Sequence, residues 1–205
     1  MTTTAGGERT WTSERITDAP AWLVALVARG GGGFVEVRYG RNGFPKQQFL
    51  SAEKVAEDPD AFVSWTLRLT ERYDVAIGMT VRGMRNGAAD GVVRANVVWA
   101  DIDGDRRRLD SYPHTPDLVV ESGTPGHVHA YWALPEPMDL TDDDEREQFV
   151  SGLRGVQKAV GSDNVADIAR VMRMPGTLNW KHCKTDADDP AMAVPVEFRP
   201  EEVML

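Results

Sequence analysis

Apolar positions recur along several parts of the chain at a spacing that is typical of helices. A short helix is predicted over residues 21–29, before a run of four glycines that would end it. A second helix is predicted from Asp58 to about Arg72, because an acid at the N-cap and a proline at the first position precede apolar residues at helical intervals. A third is predicted over residues 141–160, with Thr141 as the N-cap and acids in its first turn.

Other segments have the composition of strands. Residues 34–39 and 44–50 flank an Asn-Gly turn and predict a hairpin. Further strands are predicted over residues 73–81, 92–103, 117–121, 127–134 and 193–198, and a short helix after Asp163. Hairpins combined with helices favour an α+β fold with a mixed, largely antiparallel sheet over regular βαβ winding. We expect a single domain over residues 1–205, in which an N-terminal αβ module of about residues 1–90 precedes a second module of about residues 91–205.

The composition is that of an ordinary soluble globular protein. Hydrophobic residues make up 41% of the 205 residues and charged residues 27%, and no apolar run reaches the roughly 20 residues that cross a bilayer. Residues 1–9 lack the apolar core of a signal peptide, so a cytoplasmic protein, without a membrane partner, is expected. The single cysteine, Cys183, excludes an internal disulfide and a cysteine-based zinc site.

The net charge of −9 argues against a surface coated with basic residues for duplex DNA. Part of the negative charge is local, because residues 139–147 contain six acids. Basic residues cluster in the sequence near the three motifs described below: Arg82, Arg85, Arg94, Arg106, Arg107, Arg108, Arg170, Arg173, Lys181 and Lys184. An acidic protein with a basic groove is therefore compatible with the sequence.

The first motif is an apolar strand that ends in Asp101 and Asp103. Strand side chains alternate, so both carboxylates project from one face, with Cα atoms roughly 6.5–7 Å apart. Like charges at the end of a buried strand favour a divalent cation, and oxygen ligands favour Mg²⁺ or Mn²⁺. A calcium loop is excluded, because Arg106 and Tyr112 occupy the positions where glycine and glutamate are needed. A solvated turn with incidental acids is the alternative.

The second motif is a turn of small residues that leads into a strand with two histidines, His127 and His129. Glycine and proline allow backbone N–H groups to approach a phosphate, Ser122 adds a hydroxyl, and His129 can donate to a triphosphate oxygen. A His-x-His zinc site is the alternative, but the remaining histidines, His114 and His182, lack metal-binding spacing. For His127 alone, a structural role at the edge of the strand is favoured.

The third motif places Asp167, Arg170 and Arg173 at intervals of three residues. These side chains share one side if the segment is helical, and an ordinary surface salt bridge is the alternative. A Pro-Gly turn with Asn179 and Lys181 follows, which is typical of a binding loop.

Together, the three motifs resemble those of the archaeo-eukaryotic primase superfamily, and most of all its RepB-like and phage or plasmid primase-polymerase branch. The resemblance spans about residues 73–182. It consists of an Asp-x-Asp at the end of an apolar strand, a serine and glycine turn leading to a histidine, and an apolar residue followed by Asp: Asp101 and Asp103, Ser122 through His129, and Ala166–Asp167. His129 is preferred over His127 as the motif histidine because Ala-Tyr-Trp follows it.

This resemblance implies a palm of the RNA-recognition-motif type and nucleotidyl transfer from nucleoside triphosphates on a single-stranded DNA template. It implies that two Mg²⁺ or Mn²⁺ ions are held by Asp101, Asp103 and Asp167, which act in catalysis with His129. The nucleotide-binding residues that it implies are Ser122, His129, Arg173, Asn179, Lys181 and, as weaker candidates for nucleotide or template contact, Arg170 and Arg82. Trp180 either stacks on the template or belongs to the core. A replicative helicase, in cis or in trans, is a further expected partner, and a bacterial, phage or plasmid gene the expected origin.

Two other functions fit part of the pattern. Nucleotide-sugar glycosyltransferases also use an Asp-x-Asp motif, although that function leaves the third motif unexplained. A non-catalytic replication-initiation module would bind DNA without incorporating nucleotides. Templated incorporation separates both alternatives from a primase-polymerase.

Overall fold

The structure, a computed structural model, describes residues 13–41, 43–162, 166–183 and 188–199. Its helices are α1 (Ser13–Ala28), α2 (Ala52–Glu57), α3 (Pro59–Thr70) and α4 (Asp143–Ala159). Its strands are β1 (Phe34–Gly40), β2 (Lys46–Ser51), β3 (Asp74–Gly78), β4 (Thr80–Arg82), β5 (Val92–Asp103), β6 (Leu118–Glu121), β7 (His127–Asp139), β8 (Val171–Arg173), β9 (Leu178–Asn179), β10 (Ala191–Met192) and β11 (Val194–Phe198). Short 3₁₀ helices cover Ala89–Gly91 and Arg106–Ser111.

Nine of these strands form one sheet in the described part of the chain. The strand order is β11-β6-β7-β5-β4-β1-β3-β8, and β2 pairs with β1 outside this path. Strands β9 and β10 form a separate pair. Every strand pairing within the described residues is antiparallel, which confirms an α+β fold with a largely antiparallel sheet. The sheet continues from β4 into β5, so the division near residue 90 stays a prediction.

The main core lies between the helices and the sheet. Leu23 and Leu26 of α1 are fully buried, and Trp99 of β5 packs against Phe149 of α4 with ring centroids 5.9 Å apart. Complete burial of such side chains contributes about 1.5–3 kcal/mol each. This packing fixes β5, the strand that carries the Asp-x-Asp motif. No helix in the described ranges is both long and apolar enough to cross a membrane.

Local signals placed several elements correctly. Strand β5 has the predicted bounds, and the hairpin of β1 and β2 is confirmed, although Asn42 of its turn lies outside the described residues. Helix α3 begins after Asp58, whose Oδ1 accepts a hydrogen bond from the N–H of Ala61 at 2.9 Å. The predicted N-cap of α4 was wrong, because Asp142 caps the helix and the Thr141 hydroxyl donates to Asp139 instead.

Two predicted elements differ because of contacts that are distant in sequence. The strand predicted over residues 73–81 is divided into β3 and β4 at Met79, whose N–H donates to the carbonyl of Arg170 at 3.0 Å. The helix predicted after Asp163 is wrong where the structure describes that segment. Residues 163–165 lie outside the described part, residues 166–170 form a turn, and β8 follows.

Candidate active site

A cleft of about 540 Å³ opens where β5 ends and β7 begins. All but one of the site residues predicted from the sequence line it: Asp101, Asp103, Ser122, His129, Asp167, Arg170, Arg173, Asn179 and Lys181. The turn of the β1–β2 hairpin contributes Gly43 and Phe44. Three motifs that are separated along the chain therefore meet in one place.

The antiparallel register of β5 and β7 pairs each acid of the first motif with a histidine. Asp101 lies opposite His129 and Asp103 lies opposite His127. The Nε2 atom of His129 is 3.5 Å from Asp101 Oδ1, and Nδ1 of His127 contacts Asp103 Oδ1. Residues directly opposite on one face of a sheet interact in this way. Both histidines therefore line the cleft beside the carboxylates.

The His129 ring is neutral at neutral pH. Burial lowers its pKa to about 4, against the attraction of Asp101 and with a further lowering by Arg173 and Arg170. The Tyr131 hydroxyl lies 3.4 Å from Nδ1, and burial raises the Tyr131 pKa far above its ordinary value. In the tautomer that accepts from Tyr131 at Nδ1, His129 presents its Nε2–H to the cleft as a neutral donor.

The third motif contacts the first. An Nη2 atom of Arg170 lies 3.0 Å from Asp101 Oδ2. Asp167 is exposed, lines the cleft and accepts a hydrogen bond from the N–H of Ala169 at 2.9 Å. The helical alignment considered for Asp167, Arg170 and Arg173 does not occur, because a turn carries the first two and β8 carries the third.

The carboxylates suit a divalent cation in type but form no complete centre by themselves. The side chains of Asp101 and Asp103 are 28% and 41% exposed, so their oxygens are accessible from the cleft. Oxygen donors of this kind are those that Mg²⁺ takes, usually one or two carboxylates completed by substrate phosphates and water. Nowhere in the described ranges do three His, Cys, Asp or Glu side chains form a group that could hold a metal ion. Any cation here would need oxygens from a substrate.

The small-residue turn of the second motif is held by Asn179. Its Nδ2 donates to the carbonyl of Ser122 and to Oγ1 of Thr124, each at 3.1 Å. Gly123 has φ +78°, and a Cβ atom there would approach Cβ of Asn179 to 3.0 Å. The positive φ and the close approach both require glycine at this position. Asn179 thus supports the turn, and the N–H of Lys181 donates to its Oδ1.

Arg173 is held by a residue that the sequence analysis missed. Its Nη1 lies 2.6 Å from Oδ1 of Asp74 and donates to the carbonyl of Leu178 at 3.1 Å. The same Asp74 oxygen accepts from the N–H of Trp180 at 2.9 Å. Asp74 begins β3 after a predicted helix, and its partners lie about 100 residues away, so no local motif marks it.

The prediction that Arg82 contacts a nucleotide or template does not fit its position. Its side chain is fully buried, and Nη2 binds Glu36 Oε2 at 2.6 Å and the carbonyl of Ala169 at 3.0 Å. Arg38, which was not among the predicted site residues, does line the cleft. Glu36 and Arg38 are charged residues in the otherwise apolar strand β1, which is the signal that could have indicated them.

Trp180 belongs to the core rather than to a template platform. It is 8% exposed, and its Nε1 donates to the carbonyl of Thr70 at 2.8 Å. The guanidinium of Arg41 lies over the ring, 3.7 Å from its centroid. Stacking of a base on this ring would require Arg41 to move away.

Of the basic residues predicted near the motifs, Lys184 lies outside the described residues.

Comparison with protein-family models gives no match, and comparison with curated proteins gives none. Among solved structures, the chain is similar to the AEP domain of the cyanophage S-2L primase-polymerase, with 16% identity and a TM-score of 0.56, over 93% of this chain and 95% of that one. It is also similar to the primase RepB′, with 19% identity and a TM-score of 0.51, over 88% of this chain and 57% of that one.

The catalytic domain of RepB′ in complex with initiator DNA is a third similar structure, with 18% identity and a TM-score of 0.51, over 89% of this chain and 86% of that one. The chain thus spans a little over half the length of the RepB′ primase. Two of these structures are of the primase RepB′, and the other is the AEP domain of a primase-polymerase. The chain therefore shares the fold of these three structures.

Proposed function

We propose that this chain is a primase-polymerase catalytic domain that transfers nucleotides from nucleoside triphosphates on a single-stranded DNA template. The observation that carries the proposal is the meeting of three motifs in one cleft, in a chain with a primase fold. Acids from the first and third motifs line that cleft together with two histidines, three arginines and a lysine. Carboxylates beside basic groups are what a metal-bound triphosphate requires.

The acids Asp101, Asp103 and Asp167 would hold two Mg²⁺ or Mn²⁺ ions together with substrate phosphates. When bound, such ions would lower the pKa of a 3′-hydroxyl and neutralise the departing pyrophosphate. Their arrangement supports this role, because Asp101 and Asp103 share one strand end and all three acids line the same cleft. A bond would form between the 3′-oxygen and the α-phosphorus, and the bond from that phosphorus to the β-bridging oxygen would break, with the hydroxyl proton passing to water.

Basic and neutral donors of the cleft would orient the triphosphate. Arg173 and Arg170 suit bidentate contact with phosphate oxygens, and Lys181 acts as a point charge. His129 would donate from a neutral ring, since burial holds its pKa near 4. The turn that begins at Ser122 would offer backbone N–H groups, supported from behind by Asn179. Asn179 itself would act mainly through this support.

The DNA partner is supported by the similarity to the RepB′ catalytic domain, which has been seen with initiator DNA. Arg38 of β1 and Lys181 add to the basic lining of the cleft, which the turn of the β1–β2 hairpin also lines, and a template strand could approach along this lining. Contacts between these basic side chains and the phosphate backbone of the DNA would be electrostatic, so DNA binding should weaken as the salt concentration rises. A replicative helicase, in cis or in trans, remains part of the proposal as a partner of the whole protein.

The proposal is tested by incorporation of labelled nucleotides on a primed and an unprimed single-stranded template with Mg²⁺ or Mn²⁺. We expect Asp101→Ala and Asp103→Ala to lose activity by at least about a hundredfold, since removal of one electrostatic group from such a site typically costs that much. Asp60→Ala, at an exposed position of α3 outside the cleft, is the matched control and should retain activity. Full activity of either cleft variant would refute the assignment. Turnover of a nucleotide sugar, or DNA binding without incorporation, would favour an alternative.

A further inference from the structure

Behind the cleft, two arginines share one buried carboxylate. Glu36 of β1 is fully buried, and its Oε2 accepts from Nε and Nη2 of Arg82 at 3.1 and 2.6 Å. Its Oε1 accepts from Nε of Arg38 at 2.5 Å. The side chain of Arg82 is also fully buried, whereas that of Arg38 is 25% exposed. One carboxylate therefore fixes two guanidinium groups, one inside the protein and one at the cleft.

The inner arginine belongs to a set of contacts that holds the turn of the third motif. Three consecutive carbonyl groups of this turn each accept a hydrogen bond from β4 or the residue before it. The bonds are Thr80 Oγ1 to Ile168 at 2.8 Å, Arg82 Nη2 to Ala169 at 3.0 Å, and Met79 N to Arg170 at 3.0 Å. The turn carries Asp167 and Arg170, so its position decides where these side chains meet the cleft.

The outer arginine, Arg38, is also held by a hydrogen bond to a backbone carbonyl. Nη2 of Arg38 donates to the carbonyl of Gly87 at 2.9 Å. A Cβ atom on Gly87 would approach Glu36 Oε1 to 2.6 Å and Arg38 Nη2 to 2.8 Å, so no larger residue fits without movement. Glu36 thus fixes part of the cleft wall as well as the turn.

A role in stability alone explains this arrangement poorly. Replacement of a buried ion pair by apolar residues of similar volume is often neutral or stabilising, because the desolvation of two charges offsets their attraction. A guanidinium offers several donors in a fixed plane, so it can bind a carboxylate and a backbone carbonyl at once. An apolar pair would fill the same space but could not donate the hydrogen bond that holds the Ala169 carbonyl in position.

We propose that Glu36 and Arg82 are positioning residues, whose buried pair holds the Asp167 turn and Arg38 at the separation that a metal–nucleotide complex needs. Neither residue lines the cleft, so both act through the groups that they hold. This inference rests on the proposed nucleotide-binding function. It predicts that loosening the pair weakens nucleotide binding at temperatures where the protein stays folded.

The test uses Arg82→Lys, which keeps a cation beside Glu36 but cannot also reach the Ala169 carbonyl in the same geometry. Binding of dATP, and separately of ATP, in the presence of Mn²⁺ is measured by calorimetry, and KM and kcat are measured by incorporation. We expect affinity to fall about tenfold, as for the loss of one charge-assisted hydrogen bond, and KM to rise in proportion. The kcat at saturation should change much less.

Two further variants separate positioning from stability. Thr80→Val leaves the ion pair intact and removes one of the three bonds to the turn, so affinity should fall by a smaller factor, about threefold to fivefold. Val55→Ala alters a buried residue of α2 that does not line the cleft, so it should lower the melting temperature and leave affinity unchanged.

Wild-type affinity in Arg82→Lys would overturn the inference, and so would an equal loss in Val55→Ala. If Arg82→Lys does not fold, unchanged affinity in folded Thr80→Val overturns it instead. Failure of the wild-type protein to bind or incorporate either nucleotide would refute the proposed function, and the inference with it. Wild-type binding with unaffected variants refutes the inference alone.

Discussion

Asp74 offers a strong test of how the third motif is anchored. It is 6% exposed, and one of its oxygens accepts hydrogen bonds from the Arg173 guanidinium and from the backbone N–H of Trp180. Asp74→Asn keeps an oxygen in the same place but removes the negative charge. The bond from the Trp180 N–H then becomes a neutral one, the bond from Arg173 keeps a charge only on its donor, and Arg173 loses its counter-ion in a largely buried setting.

The expected loss follows from these two bonds. A bond to a charged group contributes about 1.5–3 kcal/mol and a neutral one about 0.5–1.5 kcal/mol, so the change in the Trp180 bond and the weakening of the Arg173 bond together give a loss of roughly 2 kcal/mol. In a protein of this size, that corresponds to a fall in Tm of about 4–8 °C. Asp74→Ala also leaves the Trp180 N–H without an acceptor and should cost about 3–5 kcal/mol.

The measurement is thermal and urea unfolding followed by circular dichroism at pH 7 in EDTA. Asp105→Asn is the matched control, because Asp105 also pairs with an arginine, Arg107, but at an exposed site. Exposed pairs contribute little, so this control should melt with the wild type. A melting temperature of Asp74→Asn that equals the wild-type value would show that the contact with Arg173 does not anchor the motif.

Two further predictions concern the histidine and the turn beside it. Because burial lowers the His129 pKa from 6.5 to about 4, the unfolded chain binds more protons in this interval, and metal-free protein should lose about 3 kcal/mol as pH falls through it. His129→Asn should lack this part of the pH dependence, and a variant with an unchanged unfolding profile from pH 7 to 4 would contradict the assignment. Asn179→Ala removes both bonds to the 122–124 turn and should raise the KM for nucleotide about tenfold, with kcat less affected. An unchanged KM in kinetic assays would show that the turn keeps its shape without Asn179.

The sequence was informative for several elements whose determining contacts are local. Strand β5 was predicted with its observed bounds because an apolar run stops at two acids and a glycine, and α3 because Asp58 caps it. The Asp-x-Asp pair was recognisable for the same reason, since strand alternation alone puts both carboxylates on one face.

The parts that were missed depend on distant partners. The helix predicted after Asp163 fails because Met79 and Arg82 take up the carbonyls of the turn, and this pairing cannot be derived from helical spacing. Neither Asp74 nor Glu36 belongs to a predicted motif, because Asp74 pairs with Arg173, 99 positions away, and Glu36 pairs with Arg82, 46 positions away. Arg82 was misjudged because a basic residue near a predicted site suggests ligand contact, whereas burial assigns it to an internal ion pair.

The acids of the cleft already have basic neighbours, and this affects how a ligand can enter. Asp101 contacts Arg170, Asp103 contacts His127, and Asp74 contacts Arg173. A bare cation at Asp101 would have to displace Arg170 and leave its guanidinium without a carboxylate partner. A bare triphosphate that bound Arg170 would leave Asp101 without its counter-ion. Cation and triphosphate arriving as one complex would bring a smaller net change of local charge than either component alone. We therefore expect each component to raise the affinity for the other, so that calorimetric titrations of either alone give weak binding.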